Sequence, residues 1–345
     1  MQVYCFNPLH DARWPDFVEA HPKASTFHTT EWLRLLERAY EYEPVAYTTS
    51  APGGLLINAL LFCRIRSWLT GRRLVSLPFS DHCEPMVENL AELQRLLEAP
   101  LEEQRKGQWK YVELRPITSA YANGVEKCVE EYAFHHLDLQ PKLDDLYQKF
   151  DGDSIRRRIQ RAQRAGLTIE AGRSPELLEE FYDLHVVTRR RQKLPPHPKF
   201  WFQHMLNCLG QMVTIRVARK AGRPIAAILT IENQRTFIYK YGCSDARFHN
   251  LGGMPFLFWN MIQSAKAAGH TQLDLGRSRV ENHGLVTFKD HWGTSRQKLV
   301  YMRYPPHKDI TDGQTYPLRM AKMVFGSCPN RILRAIGCLL YPHIG

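Results

Sequence analysis

The 345-residue sequence is notable first for what is missing from it. No uninterrupted apolar run approaches the ~18 residues of a membrane span. The opening MQVYCFNPLHDARWPDF has no basic stretch leading into an apolar one, so no secretory signal is expected. The eight cysteines (Cys5, Cys63, Cys83, Cys128, Cys208, Cys243, Cys328 and Cys338) include no CxxC pair and no His/Cys ligand spacing. That excludes a disulfide framework and predicts no metal site. Cysteines inside strand-like runs, such as Cys63 in ALLFCRI, read as reduced core residues of a cytoplasmic protein. Apolar residues make up 44% and charged residues 23%, which excludes disordered, collagenous and miniprotein classes. No groove-reading motif accompanies the basic charge, so DNA is not an expected partner.

What is present is positive charge. Lys and Arg number 46 against 35 Asp and Glu, a net charge of +11. The excess is local. It gathers at Arg156, Arg157, Arg158, Arg161 and Arg164, at 189–193, and in a tail with no acidic residue after Asp312, which carries Arg319, Lys322, Arg331 and Arg334. The first cluster repels itself unless an anion lies near, so phosphate-bearing partners are expected, RNA among them. The tail ends in the apolar run ILRAIGCLLYPHIG, which suits either the surface of an anionic membrane or packing on the first domain.

Helical and strand signals alternate, which predicts an α/β (α+β) fold with mixed central sheets flanked by helices. Strands are expected at 44–49, 55–65, 73–80, 110–117 and 130–139, with a helix at 90–106. A matching order follows: strands at 213–220, 224–232, 236–245, 272–278 and 298–304, with a helix at 255–268. This order reads as an internal duplication, block 44–139 against block 213–304. Domains are expected at 1–150 and 151–310, the second holding the main site, with a basic tail at 311–345. In the connector, Ile155, Ile159 and Ala162 mark the buried side of a helix that Gly166 ends.

Four places gather reactive groups. The junction after TFIYKYGCSD runs through Arg247, Gly252, Gly253 and Met254 into a helix whose first-turn N–H groups suit a pyrophosphate, with Gly242 on the strand before it. The stretch 274–293 brings Asp274, Arg277, Glu281, His283, Lys289 and His291 to one strand end and short helix. At the equivalent strand end of the first half stand Asp81, His82, Cys83 and Glu84. Adjacent side chains rarely face each other, which argues against a Cys83/His82 nucleophile. Arg189 and Arg191, near the end of a long helix, suit either a substrate groove or a helix dipole.

FHTTEW, SLPF, RRRIQRAQRAGLTI, YKYGCSD, DLGRS and GLVTFKDHWG together resemble the FemABX-type acyltransferases, tandem-domain members of the GNAT superfamily. The resemblance spans about 25–310. It implies acyl transfer to an amine, from acyl-CoA in some members and from aminoacyl-tRNA, toward peptidoglycan cross-bridges, in others. It implies that Phe288-Lys289 matches the family's FK element, whose lysine lies at the reaction centre. TEWLRLLERAY lacks the phosphate-binding lysine the family places in its first-domain helix, which argues against a nucleotide-sugar acceptor. The long helical hairpin some members insert for tRNA is absent as well.

The chemistry then calls for a base for the amine and N–H donors or a cation for the oxyanion. Lys289 and the Tyr239–Gly242 backbone suit the oxyanion, Asp274, Glu281, Asp81 or Glu84 suit the base, and Tyr241 is a further catalytic candidate. Asp81, His82, Glu84, Arg189, Arg191, Arg277 and Phe288 are the expected substrate contacts. The expected activity is N-acyl transfer from acyl-CoA, a co-substrate and not a tightly bound cofactor, to an amine of an envelope, polysaccharide or small-molecule acceptor. The alternatives are transfer from aminoacyl-tRNA to a peptidoglycan-type precursor, or a non-catalytic RNA- or envelope-binding protein on the same fold. The expected location is cytoplasmic, with contact at the inner membrane face.

Overall fold

Capping and side-chain periodicity set most boundaries in the computed structural model, which describes residues 2–118, 121, 128–233, 236–305 and 328–345. The chain divides into two units. The first holds the described residues within Met1–Tyr132, Lys298–Asp309 and Leu339–Gly345; the second holds those within Ala133–Gln297 and Ile310–Cys338.

In the first unit, β1 (Tyr4–Phe6), α1 (Trp14–Ala20) and α2 (Thr30–Tyr40) precede β2 (Glu43–Thr48), β3 (Leu60–Ser67) and β4 (Gly71–Val75). The Thr29 hydroxyl caps α2 by accepting from Trp32 N–H, and Trp32, Leu33, Leu35 and Leu36 on that helix are buried. The helix α3 (Leu90–Arg105), capped by Asn89, returns the chain so that β5 (Tyr111–Leu114) lies parallel to β4. The strand predicted at 73–80 stops at Val75. Pro78 has no N–H for a ladder, and Leu77 and Phe79 take φ of 52° and 59°.

The second unit begins with most of β6 (Cys128–Asp138), then α4 (Leu143–Lys149), α5 (Arg157–Arg164) and β7 (Thr168–Gly172). Ile155, Ile159 and Ala162 are buried as their spacing predicts, and Gly166 takes the left-handed φ of 64° that follows the end of α5. Two helices, α6 (Pro175–Arg191) and α7 (Lys199–Leu209), lead into the antiparallel strands β8 (Val213–Lys220), β9 (Arg223–Glu232) and β10 (Phe237–Ser244). Then come α8 (Gly253–Ala267), β11 (Gln272–Arg279), parallel to β10, and α9 (His283–Asp290). Phe150, Leu257, Phe258, Met261, Leu273 and Trp292 centre a core on which α8 lies.

The unit boundary differs from a linear cut at 150. Each half-block keeps its element order but contributes its last strand to the other unit. Ala133–Asp138 of β6 belongs to the second unit, whose strand order is β6-β11-β10-β9-β8-β7. Lys298–Tyr304 of β12 (Ser295–Tyr304) belongs to the first, with order β1-β2-β3-β4-β5-β12. The register Arg303↔Glu113 explains the return, because Glu113 is buried and accepts from Arg303 and Arg115. These two guanidiniums hold its carboxyl below the usual range against the opposing effect of burial.

Of the tail, 311–327, with Arg319 and Lys322, lies outside the described residues. The helix Asn330–Leu340 follows. Leu339–Gly345, the end of the apolar run, groups with the first unit. Earlier in the helix the Arg334 guanidinium meets Asp183 at 2.8 Å, and Gly337 lies so close to the Pro196 carbonyl that a Cβ there would sit 2.1 Å from its oxygen. Both contacts are inside the second unit. No helix among the described residues is long and apolar enough to cross a membrane.

Candidate functional site

Among the described residues, β10 and β11 pair only at Phe237↔Leu273 and Ile238↔Asp274. Beyond these pairs the parallel strands part. On the other edge of β10, Tyr239 faces Thr230 and Tyr241 faces Leu229, so Lys240 is an extra residue in that strand. Such a bulge leaves backbone polar groups outside the ladder and re-aims the following side chains. One consequence is visible at Gly242: a Cβ there would stand 2.0 Å from Tyr239 Oη and 3.0 Å from Met254 Cε. A side chain at 242 therefore has to displace the Tyr239 ring or the end of Met254.

The same strand leads, through a turn over Ala246–Leu251, into α8. Gly252 caps α8 with a φ of 79°, and a side chain on it would lie 2.3 Å from the Arg158 carbonyl oxygen. The first-turn N–H groups of α8, at Gly253 and Met254, have no partner within a helix and carry the positive end of its dipole. Beside them lies a cavity of about 160 Å³, its wall including Arg158, Ser244, His249, Gly253, Met254 and Phe288. Three of the residues expected at the site, Gly253, Met254 and Phe288, therefore share one cavity, with Gly242 beneath Met254.

Arg191 reaches this cavity indirectly. It donates to the Ser244 carbonyl at 3.0 Å and lies 3.4 Å from His249 Nε2. The Ser244 hydroxyl meets the same nitrogen at 2.9 Å. Desolvation, and then the Arg191 charge, hold the His249 pKa below its ordinary value, so the ring is neutral near pH 7. Arg247 stands differently. Its guanidinium is engaged by the Asp245 carboxylate through Nε and Nη2, and it is absent from the cavity wall. That pairing lowers the Asp245 pKa. The arginine on the wall is Arg158, one of the five clustered arginines. Of the others, Arg157 is bridged to Asp153 at 3.0 Å and Arg161 donates to the Asn250 carbonyl at 3.2 Å.

Asp274 stands at the last β10–β11 pair, half-buried, its carboxylate accepting from Gly276 N–H at 2.6 Å. Lys289 is buried. Its Nζ donates to the carbonyls of Gly276 at 2.9 Å and Arg277 at 3.2 Å, so it fixes the end of β11 where the chain kinks at Gly276, φ 69°. The next residue, Asp290, meets His135 Nε2 at 3.1 Å. Glu281 is exposed in the turn before α9.

Tyr241 faces groups that periodicity did not single out. Its hydroxyl accepts from Trp201 Nε1 at 3.0 Å, and its ring lies 5.2 Å from both His197 and Phe202. His185 Nε2 accepts from the His197 backbone N–H at 3.3 Å. Burial holds both histidines well below their usual pKa, Arg189 adding to the effect. Arg189 Nε donates to the Pro195 carbonyl at 3.1 Å, which shapes the proline-rich loop bearing His197.

In the first unit, Asp81, His82 and Glu84 follow β4. Glu84 is buried and tied to backbone, accepting from Ile117 N–H at 2.5 Å and Thr118 N–H at 3.1 Å. The Asp81 carbonyl accepts from Tyr301 Oη at 2.7 Å, and His82 packs edge-on against Phe27. The histidine beside Cys83 is His28, not His82, with Nε2 at 3.4 Å from Sγ. Burial pushes the Cys83 thiol up to about 12 and the His28 ring down to about 4. The pair is a neutral thiol beside a neutral ring and not an activated nucleophile.

Residues 152–289 match the family model described as an acetyltransferase (GNAT) domain. FemX has a similar structure, with a TM-score of 0.65 at 14% identity over 87% of this chain and 97% of that one. A tandem GNAT protein from the clavulanic acid biosynthesis pathway, in a form without AcCoA, has a TM-score of 0.57 at 11% identity, over 88% and 97% of the two chains. L-PGS from Bacillus licheniformis has a TM-score of 0.55 at 15% identity, over 93% and 97%. At these identities the likeness is one of fold, and the fold is that of two tandem GNAT-like domains. None of the curated proteins matches the sequence.

Proposed function

From a chain that carries a GNAT acetyltransferase domain at 152–289 within a tandem, FemX-like fold, we propose N-acyl transfer from acyl-CoA to an amine acceptor. The observation that carries this reading is the cavity at the α8 N-terminus, whose wall includes the first-turn residues Gly253 and Met254 together with Arg158. Phosphate oxygens suit that set, because N–H dipoles and a guanidinium both favour a dispersed negative charge. CoA is a co-substrate here and leaves with each turnover.

The acyl carbonyl lies where β10 and β11 part. The backbone freed at the Lys240 bulge donates to its oxygen, and the charge that develops there is stabilised without reorganisation. Asp274, at the last strand pair, takes the proton from the attacking amine. The neutral amine then attacks the thioester carbon, the carbon–sulfur bond breaks, and the second proton given up by the nitrogen leaves on the thiolate. Lys289 holds the carbonyls of Gly276 and Arg277 and so keeps β11 in place during the reaction. Phe288 and Tyr241 line the approach, and Arg191 steadies the cavity wall through Ser244. In the first unit, Asp81, His82 and Glu84 shape an acceptor loop in an envelope, polysaccharide or small-molecule context.

A second reading, aminoacyl-tRNA as donor, is supported by the exposed Arg157, Arg161 and Arg164 on the helix that bears Arg158. Parallel thermal-shift and transfer assays with acetyl-CoA and with aminoacyl-tRNA separate the two. Stabilisation by neither donor rejects both in favour of a binding protein.

A further inference from the structure

The hairpin joining β3 to β4, RIRSWLTGRR, carries apolar side chains where a solvated turn carries polar ones. At its tip Trp68 is 77% exposed and Leu69 is 48% exposed. The tip is nevertheless held by hydrogen bonds. Ser67 Oγ accepts from the N–H groups of Leu69 at 3.1 Å and Thr70 at 3.0 Å, and Gly71 closes the turn with a φ of 84°. The 341–345 segment packs against the same tip. Thr70 Oγ1 donates to the His343 carbonyl at 2.9 Å, and the His343 ring lies edge-on to Trp68 at 5.2 Å. Next to it, Ile344 is 50% exposed.

Cations frame this patch. Arg66 pairs in register with Arg72 one step behind the tip, and both are exposed. The exposed Lys110 side chain lies against Gly71, its Cδ 3.6 Å from where a Cβ would be. The whole stretch 44–80 contains no acidic residue. The other exposed apolar residues of this stretch, Leu55 and Ile57, belong to the loop before β3, at that strand's opposite end.

We propose that the tip of this hairpin, with Ile344, inserts into the headgroup region of an anionic lipid bilayer and docks the first unit there. Three observations fit a bilayer. The tryptophan is amphipathic and prefers the headgroup level. The aliphatic Leu69 and Ile344 have no stacking face to offer a nucleobase but bury well among acyl chains. The ring of Arg66, Arg72 and Lys110 matches the negative charge of lipid phosphates. Ile344 belongs to the apolar run ILRAIGCLLYPHIG, whose sequence alone suits a membrane surface, whereas Trp68 and Leu69 lie outside it. The inference does not depend on the donor chemistry of the second unit.

The test uses the full-length protein with vesicles of pure phosphatidylcholine and of phosphatidylcholine mixed with phosphatidylglycerol, read by co-sedimentation. The wild type partitions to the anionic vesicles. Trp68→Ser/Leu69→Ser lowers that partition by about tenfold or more. Arg66→Gln/Arg72→Gln abolishes the preference for anionic lipid and leaves the melting temperature unchanged. Should the tryptophan variant melt at a lower temperature, Leu69→Ser/Ile344→Ser gives the same loss without it. A wild type that fails to partition overturns the proposal, as does a folded tip variant that partitions equally. So does Trp68-dependent binding to an RNA homopolymer without vesicle binding, which makes the patch a nucleic-acid contact.

Discussion

Lys289 Nζ donates to the carbonyl oxygen of Gly276 at 2.9 Å, so the one buried cation of α9 is spent on the kinked end of β11. Replacing it with methionine keeps the length of the side chain but strands two carbonyls. Lys289→Met is expected to cost roughly 1–3 kcal/mol of stability. It is also expected to lower turnover by at least about tenfold, because the wall opposite β10 loses its anchor. Urea denaturation beside steady-state kinetics reads both. Wild-type turnover in a folded variant removes Lys289 from the site.

Gly242 and Tyr239 occupy one space. Gly242→Ala places a methyl against Tyr239 Oη and Met254 Cε, and is expected to raise KM for the donor by about tenfold or more through displacement of the α8 N-terminus. Tyr239→Phe in the same chain removes the hydroxyl from the clash and restores part of the loss. Equal KM values for the single and double variants would show that the clash is not the cause.

Arg158 and Arg157 are neighbours with different surroundings. Arg158 lines the cavity, whereas Arg157 is an exposed partner of Asp153. Arg158→Ala is expected to weaken CoA binding by roughly tenfold, and Arg157→Ala to change it by less than about twofold. Isothermal titration at two salt concentrations checks this, with the larger salt dependence in the wild type.

His28 sets an acid limit on the first unit. Its folded-state pKa, about 4, lies below the unfolded value of about 6.5 because burial disfavours the cation. Between these values the unfolded chain binds more protons, so stability falls as pH drops from about 6.5 toward 4. The full difference is worth roughly 3 kcal/mol. His28→Gln keeps hydrogen-bonding capacity without a titrating ring, and its melting temperature is expected to fall less steeply over that range. A slope equal to the wild type assigns the acid limb to other buried histidines such as His185.

Much of this arrangement is legible in the sequence. The spacing of Ile155, Ile159 and Ala162 gives the buried face of a helix, and the glycines at 252 and 253 announce a strand-to-helix turn with open N–H groups. The repeated order of strands and helices in 44–139 and 213–304 gives two tandem domains, and the resemblance to FemABX-type acyltransferases implies the GNAT-like form whose like is found in FemX. Other features depend on contacts between residues far apart in sequence. Nothing local distinguishes Arg158 from its four neighbours; only the approach of Gly252 to its carbonyl places it at the cavity. The return of β12 to the first unit rests on Arg303 and Glu113, which are 190 residues apart. The strand pattern through Leu77 and Phe79 breaks because Pro78 cannot donate and Arg115 draws the Leu77 carbonyl inward, at 3.0 Å. Cys83 finds His28 and not the adjacent His82, because adjacent side chains point apart.

The central claim is that the cavity at the start of α8 takes the phosphates of an acyl donor. The most direct measurement is the thermal shift of the full-length protein with acetyl-CoA, run beside Arg158→Ala. The account predicts a concentration-dependent rise in melting temperature for the wild type and a much smaller rise for the variant at the same ligand concentration. An identical rise in both proteins, or none in the wild type with either acetyl-CoA or aminoacyl-tRNA, would contradict it.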